Sequence, residues 1–225
     1  MSALYRPQLP AATAGIGAHF AAGGLLLILG PVQLVAAVRE RWPWLHRWLG
    51  RLYVASAALA GAGGLAFILA GGTVGGPAMS AGFGLYGALM IVAAANTYRF
   101  ARARLVERHR AWAIRLFALV VGSWLYRMEY GLWFMTVGHA GHTHNFRGGF
   151  DLVMDVFFFL PNLAAAELFI RSRRRDNRRG SVIDWATAAV LLAASAFVVL
   201  ATWFFTVRFW GAEMVSGLSG AALTG

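Results

Sequence analysis

Arginine comes in clusters along this chain, and the stretches between the clusters are long and apolar. Four arginines fall in residues 39–51, five in 99–110 and six in 171–179, and no lysine occurs. A helix needs about 20 apolar residues to cross a hydrocarbon core ~30 Å thick. Between successive clusters there is room for two such helices, so the clusters return to one side of a membrane. The positive-inside rule makes that side cytoplasmic.

Composition agrees with this placement. The 225 residues are 59% hydrophobic and only 13% charged, where a soluble domain carries about 25% charged residues. The expected fold is all-α, a polytopic membrane protein built as a six-transmembrane-helix bundle, with both termini on the non-cytoplasmic side. The spans fall at about Ala11–Val38, His46–Ala70, Ala78–Tyr98, Ala111–Val137, Phe150–Ile170 and Val182–Val207. Residues 1–225 form a single membrane domain. The first apolar run is too long for a signal-peptide core and reads as a retained helix.

The net charge of +11 has its counter-charge in acidic lipid headgroups of the bilayer, and no nucleic acid is expected as a partner. The chain has no Cys, which excludes disulfides, thiolate-ligated haem and cysteine-held iron–sulfur clusters.

Ionisable residues within spans cost roughly 2.5–3.5 kcal/mol on insertion scales and usually face the bundle interior. Here they sort into two layers. Near the arginine-rich face lie Gln33, His46, Arg51, His109, Arg115 and Glu167; near the opposite face lie His19, Arg127, Glu129, Asp151 and Asp155. The middle is apolar apart from small hydroxyls and Asn162, which follows Pro161 and marks a kink in the fifth span. Small residues on the second and third spans (Ala57, Gly61 and Gly64, then Gly84 and Gly87) are expected to be sites of helix packing.

One internal echo singles out the inner layer. His46-Arg47-Trp48-Leu49-Gly50-Arg51-Leu52-Tyr53 and His109-Arg110-Ala111-Trp112-Ala113-Ile114-Arg115-Leu116-Phe117 both read His-Arg, Trp, Arg, Leu, aromatic, with one residue inserted. The echo predicts a parallel repeat that brings two histidines into the membrane at equal depth. His46 and His109 can serve as axial ligands of a haem b, or as the polar groups of a quinone site. Arg51 and Arg115 would then hold propionates or a quinone oxygen. His19 is a second candidate ligand or proton carrier. The plainer reading makes both histidines ordinary interfacial residues of basic loops.

In the outer layer Arg127 and Asp155 are expected to form a buried ion pair. The loop His139-Ala140-Gly141-His142-Thr143-His144 offers three imidazoles with metal affinity for Zn²⁺ or Cu²⁺. Phosphate loops, nucleophile elbows and two-histidine zinc helices are missing from the sequence.

A wider pattern joins these residues: His19, Gly23, Gly30-Pro31 and Gln33, then His46-Arg47, Gly50-Arg51 and Tyr53. It continues through Gly82-Phe83, His109-Arg110, Trp112, Arg115, Arg127, Pro161-Asn162 and Glu167. Over roughly residues 16–171 it resembles a family of bacterial predicted membrane proteins, domain of unknown function 2306. Ala113 stands where that family usually has Met. The resemblance implies a multi-span protein of the bacterial inner (cytoplasmic) membrane and supplies no activity. The loop histidines and the sixth helix are outside the pattern. Two functions follow as expectations: a haem- or quinone-binding electron-transfer protein, or an accessory or assembly subunit of a larger membrane complex. A transporter ranks below both, since transporters bind at the midplane and this midplane is apolar.

Overall fold

The computed structural model describes residues 10–174, 182–205 and 207. Among the described residues the regular structure is helical, in the order α1 Pro10–Leu34, α2 Ala36–Arg41, α3 Pro43–Gly71, α4 Pro77–Arg102, α5 Val106–Thr136, α6 Gly149–Phe157, α7 Leu160–Arg174 and α8 Val182–Phe205. Prolines set two of the starts. Pro43 and Pro77 each occupy the first turn, where a missing N–H is harmless. Four segments are long and apolar enough to cross a membrane: Gly17–Leu34, Pro43–Gly71, Pro77–Arg102 and Gly149–Arg173.

Two of the expected spans are interrupted. The first does not run to Val38. It stops at Leu34, Val35 turns extended (φ −69°, ψ 116°), and the short α2 follows. The fifth breaks at Phe158–Phe159, between α6 and α7. Pro161 explains the break, because its ring clashes with the carbonyl four residues back and it has no N–H to give. Asn162 repairs part of the damage: its Nδ2 donates to the Phe158 carbonyl at 2.8 Å. The expected kink is therefore present, and it lies just before the proline.

The bundle is held by close backbone approaches where side chains are missing. A Cβ on Gly61 would lie 2.9 Å from the Gly87 carbonyl, so α3 and α4 cross at these two glycines. A Cβ on Gly122 would lie 2.8 Å from the Phe158 carbonyl, and one on Gly82 would collide with the carbonyl of Asp155. The broken α6–α7 segment is thus cradled between α4 and α5. Phe83, Tyr86 and Tyr126 pack on Phe158 with ring centroids 5.0–5.3 Å apart. The Tyr86 hydroxyl donates to the Leu119 carbonyl at 3.0 Å. Gly84, by contrast, faces open space and is no packing site.

Candidate functional site

His46 and His109 occupy equivalent rungs. Each is the fourth residue of its helix, α3 or α5. The echo extends to the arginines: Arg51 lies over the ring of Trp48 at 5.2 Å and Arg115 over Trp112 at 4.9 Å, the same i, i+3 cation–π contact twice.

The two histidines line one cavity of about 320 Å³ between α1, α3, α4 and α5. Gln33, Arg51, Tyr53 and Phe117 line it with them. Gln33 reaches it from the last turn of α1, and its Oε1 lies 3.4 Å from where a Cβ on Gly50 would stand; glycine there makes room for the amide. His109 is held in place by a bond from its Nδ1 to the Thr97 carbonyl at 2.9 Å. A carbonyl can only accept, so Nδ1 carries the proton, and Nε2 of the neutral ring is an acceptor or ligand atom. Three buried atoms around the same cavity make no hydrogen bond: Gln33 Nε2, His46 Nδ1 and the Tyr53 hydroxyl.

Arg115 is elsewhere. Its Nε and Nη2 lie 3.1 Å and 2.6 Å from Glu167 Oε2, while Arg171 Nε sits 3.1 Å from Oε1 of the same carboxylate. The expected inner layer therefore divides: Gln33, His46, Arg51 and His109 share the cavity, and Arg115 and Glu167 tie α5 to α7.

His19 is a third case. Its Nδ1 donates to the Ala60 carbonyl at 2.8 Å, pinning α1 to α3, and the absent side chain of Gly64 gives it space. Ala60 follows His46 on α3 by nearly four helical turns, about 21 Å at 1.5 Å per residue. His19 and the cavity histidines are separate features.

A family model described as "Predicted membrane protein (DUF2306)" matches residues 16–170. The chain belongs to this family. No curated protein and no solved structure matches it. The DUF2306 match takes in the whole cavity and the outer loop, and it ends before α8.

At the other end of this DUF2306 protein, polar groups gather on Asp151, which is fully buried. Its carboxylate accepts from the Tyr130 hydroxyl at 2.8 Å, His142 Nδ1 at 2.7 Å, Thr143 N at 3.0 Å and Gly148 N at 2.9 Å. Sequence reasoning misses this centre: Asp151 stands out only as one of several outer carboxylates, and its partners Tyr130 and Thr143 carry no signal. Of the loop histidines, His142 faces Asp151, His139 packs on the Phe134 ring at 4.8 Å, and His144 is exposed. No three of His, Cys, Asp and Glu converge on a metal position among the described residues.

The expected Arg127–Asp155 pair is not made. Arg127 is exposed, and neither carboxylate oxygen of Asp155, 3% exposed, has a hydrogen-bond partner. Equal depth is the only ground for pairing them, and depth does not fix which way a helix face turns. Glu129 Oε2 is likewise buried without a hydrogen-bond partner, and Glu129 lines a long apolar groove between α5, α6, α7 and α8.

Proposed function

We propose that the protein binds the ring of a membrane quinone in the cavity shared by Gln33, His46, Tyr53 and His109, and takes part in electron transfer within the bilayer. The observation that carries this reading is the trio of unpartnered buried polar atoms around one cavity. Each such group costs about 1–3 kcal/mol when left unsatisfied, and a concave site with a few convergent polar groups is the usual form of a ligand pocket. A quinone carbonyl accepts from the Gln33 amide and the Tyr53 hydroxyl. The hydroxyls of the reduced ring donate to imidazole nitrogen, which His109 Nε2 offers. Oxidation of the quinol would release two protons, one to each imidazole, and two electrons to a one-electron acceptor such as the haem or iron–sulfur centre of another protein.

A haem b held by His46 and His109 draws on the same residues and is less well supported. A volume of about 320 Å³ suits one substituted ring better than a tetrapyrrole, since small-molecule sites span ~300–1,000 Å³. Arg115, the expected propionate partner, is committed to Glu167.

The same reading puts the protein in the bacterial inner membrane with six crossings. α5 is 31 residues long, about 46 Å at 1.5 Å per residue, and with α8 it completes the set begun by the four apolar segments. Arginine clusters on one side make that side cytoplasmic and put both termini outside.

A photoreactive quinone without an isoprenoid tail, presented to the full chain in nanodiscs, tests the site. Labelling that saturates, is competed by the unlabelled ring, and falls about tenfold in Gln33→Leu supports it. Labelling that neither saturates nor responds to Gln33→Leu refutes it and leaves the accessory-subunit reading. Reduced α and Soret bands that vanish in His109→Ala would instead restore haem.

A further inference from the structure

We infer that the apolar groove beside α5 holds the isoprenoid tail of the quinone, an inference that rests on the ring site proposed above. Cavity and groove share one wall residue, Phe117. Its ring edge lies 3.0 Å from where a Cβ on Gly30 would stand, so the ring closes the cavity against α1. Successive residues of α5 then divide between the two spaces. Ala113 and Leu116 face the cavity, whereas Ile114, Ala118 and Val121 face the groove. The two sites are adjacent faces of one helix with Phe117 at the seam.

The groove has the size and chemistry of a polyprenyl chain. Its volume is about 1530 Å³ and its walls are almost wholly apolar. Along α5 it runs from Ile114 to Thr136, about 33 Å at 1.5 Å per residue, which matches the ~30 Å depth of the hydrocarbon core. Small side chains on α7, Ala165 and Ala166, keep it open. A ring seated at the arginine-rich end can send its tail past Phe117 and along this wall without leaving the protein. A phospholipid acyl chain has the same hydrocarbon chemistry, but it brings no ring to the cavity that the groove adjoins.

The test compares two probes against the photoreactive ring in nanodiscs of the full chain: the tail-less quinone and the same ring with a long polyprenyl tail. In Ala118→Phe and Val121→Trp, which fill the groove and leave the cavity lining intact, the tail-less probe should compete within about twofold of wild type. The long-tailed probe should weaken by about tenfold or more, because the new side chains clash with a tail that leaves the seated ring along this wall. Ala165→Leu, on the opposite wall, serves if either variant fails to fold. If all groove variants leave the long-tailed probe unchanged while ring binding persists, the tail lies in the bilayer and this inference falls alone. It falls in the same way if the variants lose only a co-purifying phospholipid. If the wild type binds neither probe, the ring site falls with it.

Discussion

Arg115 and Glu167 close on each other across 52 residues of sequence, with Nη2 2.6 Å and Nε 3.1 Å from one carboxylate oxygen. Two of the three guanidinium nitrogens are used, and the second oxygen holds Arg171, so the carboxylate anchors the middle of α7 to the first half of α5. Charge-assisted hydrogen bonds contribute roughly 1.5–3 kcal/mol when partly buried. Glu167→Gln should therefore lower stability by about 1–3 kcal/mol, read from unfolding in mixed micelles. Arg171 is largely exposed, and Arg171→Ala should change stability by less than about 0.5 kcal/mol. Equal losses from both variants would mean that the Arg115 contact carries no special weight.

The four bonds on Asp151 lead to a second expectation. An ionised carboxylate can accept all of them. An amide has one acceptor oxygen. Turned to Thr143 N and Gly148 N, which share Oδ2, it is a weaker, uncharged acceptor and leaves its NH₂ facing the Tyr130 hydroxyl and His142 Nδ1, which can no longer donate there. Asp151→Asn should cost about 2–4 kcal/mol and speed hydrogen exchange at the Thr143 and Gly148 amides. Unchanged exchange at these two amides would show that the loop is held by its aromatic packing, such as Trp133 stacked on Phe150 at 4.3 Å.

These centres show what a sequence of this kind makes readable. The depth of a polar residue follows from counting along a helix, so the division into two layers is read directly. The echo around His46 and His109 gives more, because a repeated local motif fixes a rung and a face together: both histidines reach one cavity, and both arginines lie on their tryptophans. Partnership across helices is not readable. Arg115 finds Glu167, and Arg127 fails to find Asp155, because helix rotation depends on which faces pack. Here glycines decide the packing, and a glycine looks the same whether it meets a backbone or open space. Tyr53 is within reach of sequence reasoning: it follows His46 by seven residues, two helical turns, and so shares its face.

Gly82 and Gly84 make that difference between glycines measurable. A Cβ on Gly82 collides with the Asp155 carbonyl, which is backbone and cannot swing aside, whereas a Cβ on Gly84 meets nothing within 4 Å. Gly82→Ala should destabilise by about 2 kcal/mol or more through the forced separation of α4 from α6. Gly84→Ala should be neutral or slightly stabilising, since alanine favours helix over glycine by about 1 kcal/mol. If Gly82→Ala were tolerated as well as Gly84→Ala, the close approach of the broken helix to α4 would have to be abandoned.

Tyr53 gives the sharpest separation between a structural and a functional role. Its hydroxyl is buried and makes no hydrogen bond in the protein alone, so removing it takes nothing away from the empty fold. Tyr53→Phe should then match or exceed the wild type in stability without ligand, by up to about 1 kcal/mol. With a tail-less quinone present the order should reverse. The wild type gains RT ln(1 + [L]/Kd) from a ligand that binds only the folded state. The variant, having lost one donor to the ring oxygen, should bind about tenfold more weakly and gain about 1.4 kcal/mol less at saturating ligand. Thermal unfolding of both proteins with and without the quinone reads all four values. A Tyr53→Phe protein that is already less stable without ligand would place the hydroxyl in the architecture of the bundle. One that gains as much from the quinone as the wild type would remove Tyr53 from the site.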